Sequence, residues 1–109
     1  MAWLVTNGRV LASADVLTSL PDRARGLLGK KGIDGAVVIE RCRWIHTIGM
    51  RFAIDVAYLD RNNTVIRIAT VRPNRVPAPV MRARRAVEAE AGAMARWGLQ
   101  AGDVIEIRN

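Results

Sequence analysis

The feature that most constrains the fold is a period-two alternation in the middle of the chain. Phe52, Ile54, Val56 and Tyr58 fall on one face, and Ala53, Asp55, Ala57 and Leu59 on the other. Successive side chains of a β-strand point to opposite faces, so this pattern predicts a strand over residues 52–60. Asp60-Arg61-Asn62-Asn63 then supplies turn formers. Residues 64–72 resume the alternation, with Val65, Arg67, Ala69 and Val71 opposite Ile66, Ile68 and Thr70. The two runs together predict a hairpin.

Further strands are expected on either side. Residues 3–6 and 9–12 flank Asn7-Gly8, a pair suited to a two-residue turn because both central positions need positive φ. Residues 36–40, 84–90 and 104–107 are shorter β-type runs. Ser19-Leu20-Pro21-Asp22 reads as a helix start, with Ser19 capping, Pro21 in the first turn and Asp22 complementing the positive dipole end. That helix would end near Leu28, before Gly29. A second short helix is expected over residues 91–97, stopped by Gly98. Pro73, Pro77 and Pro79 make the segment around them an extended loop. Short strands with turn signals every 8–12 residues indicate a mainly β fold, a β-sandwich or small barrel-like structure, with one short helix in the N-terminal half and another near the C-terminus. With 109 residues the chain is long enough for one core, so residues 1–109 are read as a single domain.

Composition narrows the function classes. Half of the residues are hydrophobic, yet no apolar run approaches the roughly 20 residues of a membrane-spanning helix. The N-terminus shows no basic stretch followed by an apolar core and a cleavage site, so a cytoplasmic address is expected. Cys42 is the single cysteine, which excludes an internal disulfide and a cysteine-based metal cage. Seventeen basic residues against ten acidic ones give a net charge of +7, which favours anionic partners. The basic residues are spread from Arg9 to Arg108, densest over residues 23–31 and 82–85, and no nucleic-acid-binding module is recognisable. The glycine-rich run from Gly26 to Gly32 lacks the spacing of a phosphate-binding loop.

The unusual chemistry is concentrated in residues 42–55, which hold the only histidine and the only cysteine. Cys42 and His46 could form a nucleophilic dyad, but no Asn or Asp stands ready to orient the ring. Cys42, His46 and Asp55 would supply three metal ligands, with nothing spaced for a fourth. Asp55 lies mid-strand between small residues. A carboxylate there needs an arginine or several amides, and Arg23 is the expected partner.

Three segments in order resemble a known family. They are Arg23-Ala24-Arg25-Gly26-Leu27-Leu28-Gly29; a central motif with Ile45-His46-Thr47, Gly49-Met50-Arg51-Phe52 and Ile54-Asp55-Val56; and a closing pattern of Glu88 to Gly92, Gly98-Leu99 and Gly102-Asp103. The family is domain of unknown function 192, also called uncharacterised protein family 0127. The resemblance covers most of the chain and implies a mostly β sandwich with a short helix and no established activity. Many relatives have proline where this sequence has Ala53.

The first functional reading is a non-enzymatic accessory domain that binds a small molecule or a protein. Its candidate surface comprises Arg23, Trp44, His46, Thr47, Met50, Arg51 and Asp55, with no cofactor and no metal expected. The second is an enzyme using His46 and Asp55 as acid and base. The third is a weak binder of nucleic acid or anionic surfaces; a contiguous basic face free of acidic groups would support it, and evenly scattered arginines would count against it.

Overall fold

Asn7 and Gly8 take φ of 51° and 74°, the positive values that let a two-residue turn match the twist of its flanking strands. They join β1 (Ala2–Thr6) to β2 (Arg9–Leu17). The computed structural model describes residues 2–18 and 35–109. The remaining elements are β3 (Ala36–Glu40), β4 (Ile54–Leu59), β5 (Val65–Val71), β6 (Arg85–Glu90), a four-residue helix α1 (Ala93–Arg96) and β7 (Glu106–Arg108). The helix expected from Ser19 to Leu28 lies outside the described residues.

β2 runs on to Leu17 instead of stopping at Ala12, because its second half pairs with β3 in parallel, from Ala14 opposite Ala36 to Leu17 opposite Ile39. All other pairings among the described strands are antiparallel, in the order β5-β4-β6-β3-β2-β1-β7. The sheet curls until its edges meet at one end. Thr64 bridges Val104, the amide of Val65 donates to the Asp103 carbonyl at 2.8 Å, and that of Ile105 donates to the Asn63 carbonyl at 3.0 Å. The mainly β, barrel-like expectation therefore holds.

Two apolar layers result. Leu4, Val38, Ala57, Leu59, Val87 and Ile105 belong to the inner one, joined by Met94 of α1. Val37, Ile39, Ile54, Val56 and Tyr58 form the outer one, over which Cys42, Ile45 and Met50 are folded from residues 41–53. The Ile54, Val56 and Tyr58 face is buried as the alternation requires. The opposite face of β4 is buried too, so every residue of that strand is inaccessible. Burying an aliphatic or aromatic side chain of this size is worth roughly 1.5–3 kcal/mol.

Candidate functional site

The pairing register brings three strand ends together. Glu40 at the end of β3 and Leu59 at the end of β4 both stand opposite Arg85 at the start of β6. Consequently residues 41–53, the turn at residues 60–63 and residues 72–84 all leave or enter the sheet at the same end. An open groove of about 820 Å³ lies between them, a size ordinary for a ligand site. Five arginines line it, namely Arg41, Arg43, Arg61, Arg84 and Arg85, with Trp44 beside them and Glu40 the one carboxylate among the described lining residues.

That carboxylate is already taken. Arg85 Nε donates to both Glu40 oxygens at 3.1 Å and Nη2 donates to Oε2 at 2.9 Å, while Nη1 donates to the Asn63 side-chain oxygen. A bidentate fork of this kind is geometrically specific, and it leaves Glu40 neutralised. The Arg84 backbone is held from both sides: its amide donates to the Leu59 carbonyl at 2.7 Å and its carbonyl accepts from Cys42 at 3.1 Å. Among the described residues the Arg84 guanidinium makes a single long contact, 3.5 Å, to the Ala83 carbonyl. Arg43 Nε donates to the same carbonyl at 3.3 Å. Arg61 has no side-chain hydrogen bond or ion pair with any described residue.

Thr47 fastens residues 41–53 to residues 72–84. Fully buried, its hydroxyl donates to the Arg72 carbonyl at 2.6 Å and accepts from the Arg75 amide at 2.9 Å. Its own amide donates to the Arg75 carbonyl at 3.0 Å, and its carbonyl accepts from Asn74 at 2.8 Å. Nearer the groove, the Trp44 indole N–H donates to the Pro77 carbonyl at 2.9 Å, and Val80 donates to the Arg43 carbonyl at 2.8 Å. The indole is thus tethered at one edge while 45% of the residue stays exposed.

The candidate residues of the sequence do not form one surface. Trp44 and His46 do meet, with ring centroids 5.6 Å apart and planes tilted by 55°. His46 is exposed, and its Nδ1 accepts from the Ile48 amide. Arg51 is exposed on the same loop, whereas Thr47 and Met50 are buried beneath it. Arg23 lies outside the described residues. Asp55 sits on the inner face of β4, 3% exposed. Its Oδ1 accepts from the Thr70 hydroxyl at 2.7 Å, and its Oδ2 accepts from the amides of Gly92 and Met94 at 3.0 and 3.2 Å. Gly92 precedes α1 at φ 92° and has no side chain to cap it, so Asp55 serves as the cap from across the sheet.

His46 and Asp55 therefore lie on opposite faces of the sheet, and an acid–base pairing of the two is not what the fold builds. Among the described residues no three His, Cys, Asp or Glu side chains gather as metal ligands. The Cys42 thiol is buried and donates to the Trp44 carbonyl at 3.2 Å.

Glu88 carries chemistry that the strand pattern did not single out. It is 5% exposed in the outer layer, where it stands between Val37 and Val56 in register. Burial pushes its carboxyl up to about 7, because the charged form loses its hydration there. Burial likewise raises the phenol of Tyr58 in the same layer, with the Cys42 thiol adding to the shift.

Comparison with known proteins places this fold. The model of the DUF192 family, described as an uncharacterized ACR, matches residues 1–107. The chain belongs to the DUF192 family. This DUF192 domain is similar to the crystal structure of a protein of unknown function from Novosphingobium aromaticivorans DSM 12444, with a TM-score of 0.83 and 16% identity, over 96% of this chain and 82% of that one. It is also similar to a Sinorhizobium meliloti 1021 protein described as a "putative transcription regulator", with a TM-score of 0.84 and 18% identity, over 97% of this chain and 91% of that one. At these identities the likeness establishes the fold alone. No curated protein matches the sequence. No helix among the described residues is long and apolar enough to cross a membrane.

Proposed function

We propose that this DUF192 domain is a non-enzymatic binding domain whose arginine groove takes an anionic ligand. One observation carries the reading. Residues 41–53 and 72–84, the two loops that Thr47 fastens together, contain seven arginines and no carboxylate. The rest of the chain then holds ten basic and ten acidic residues, so these loops account for the whole net charge. Three of the seven, Arg41, Arg43 and Arg84, line the groove with Arg61 and Arg85, so arginines far apart in the sequence are gathered in space, the arrangement expected of a surface that attracts and holds anions.

Titration with short-chain inorganic polyphosphate tests this. Binding is expected at low salt and should weaken as salt screens the arginines. The double variant Arg43→Ala/Arg84→Ala should lose about tenfold or more in affinity, since a hydrogen bond to a charged group contributes roughly 1.5–3 kcal/mol. No binding by the wild type at low salt, or equal binding by the variant, would refute the reading.

A further inference from the structure

The groove combines two kinds of recognition chemistry. Its lining includes guanidinium groups whose donors are largely uncommitted: among the described residues Arg61 has no side-chain partner, and Arg84 has only its long carbonyl contact. Guanidinium forks suit phosphate oxygens. Trp44 lines the same groove, half exposed and held at its indole nitrogen by Pro77. A tethered indole with an accessible ring is a platform on which a flat heterocycle stacks at low entropic cost. Glu40, the one carboxylate among the described residues lining the groove, is engaged by Arg85, which offsets its charge toward an incoming anion.

Resting on the anion-binding reading above, we propose that the groove is a nucleotide subsite, with the phosphate held by Arg61 and Arg84 and the base stacked on Trp44. The ligand unit is a phosphate joined to a planar base, supplied either as a free nucleotide or as a segment of single-stranded nucleic acid. An acidic peptide would use the arginines and leave the indole idle. A flat anionic bilayer would not enter a concavity between three strand ends.

The test is calorimetric titration with inorganic pyrophosphate, a nucleoside diphosphate, a short oligothymidylate and phosphatidylserine vesicles, on the wild type and on Trp44→Ala, Trp44→Phe and Arg61→Ala. The nucleotide or the oligomer should bind more tightly than pyrophosphate. Trp44→Ala should remove that advantage, a loss of roughly 5- to 100-fold for one stacked base, while Trp44→Phe keeps most of it and confirms that the fold is intact. Arg61→Ala should weaken pyrophosphate and nucleotide alike. Tight binding of the diphosphate supports the subsite with a free nucleotide as its source. Binding of the oligomer alone, falling steeply with salt, supports it with single-stranded nucleic acid as the source. Pyrophosphate binding as tight as nucleotide, unaffected by Trp44→Ala, overturns the subsite and leaves the anion-binding reading standing. Preference for vesicles over every soluble probe also overturns it. Failure of all anions to bind removes both.

Discussion

Two buried carboxylates on neighbouring strands show how much the surroundings of a single residue matter. Asp55 receives three hydrogen bonds, two of them from the amides at the start of α1. Both of its oxygens have partners, and it ties the helix to β4. Glu88 is buried to a similar degree in an apolar layer, and burial raises its carboxyl from the ordinary 4.5 to about 7. A raised acid binds its proton more tightly in the folded state than in the unfolded one. Stability from this group is therefore greatest below 4.5 and is lost as pH rises through about 7. The full difference corresponds to roughly 3 kcal/mol. Glu88→Gln cannot ionise, so it should flatten the fall in stability between about pH 5 and pH 8 and be the more stable protein at the upper end. Urea denaturation at both pH values checks this; an unchanged slope in the variant would show that Glu88 ionises normally in the folded chain.

At the scale of elements, what the sequence revealed was local. The hairpin of β1 and β2 was legible from Asn7-Gly8, and that of β4 and β5 from alternation on either side of a polar turn. The second half of β2 was not legible, because its strand character comes from pairing with Ala36 to Ile39 far along the chain. The same gap split the candidate site. Trp44, His46 and Arg51 were identified as surface groups and are exposed, but Thr47 and Met50 turn inward because residues 41–53 must also cover the outer apolar layer. Nothing in the local pattern tells which polar residue of a loop becomes its internal fastening. Thr47→Val keeps the shape and removes the hydroxyl, leaving the Arg72 carbonyl and the Arg75 amide without that partner. A loss of about 1–3 kcal/mol is expected, with faster amide exchange at Arg75 while Val56 and Val87 remain protected. Unchanged exchange at Arg75 would show that the loops are held together by other contacts.

Over the whole molecule, the separation of charge follows from topology. Arg43, Arg61 and Arg84 are far apart in sequence and line one groove because β6 lies between β3 and β4 and is antiparallel to both, which puts the strand ends next to them at one end of the sheet. No reading of spacing along the chain could assemble them without that strand order. Their gathering converts a scattered excess of arginine into a groove whose one carboxylate among the described residues is already neutralised. The proposed groove would receive anions at this end of the sheet, in place of a diffuse positive surface. Backbone amide shifts recorded by NMR during titration with pyrophosphate test it most directly. Saturable shifts are expected at residues 41–44, at Arg61 and at residues 83–85, with β1 and β7 unmoved. Small, unsaturable shifts spread evenly over all exposed arginines, Arg9 and Arg108 included, would contradict it.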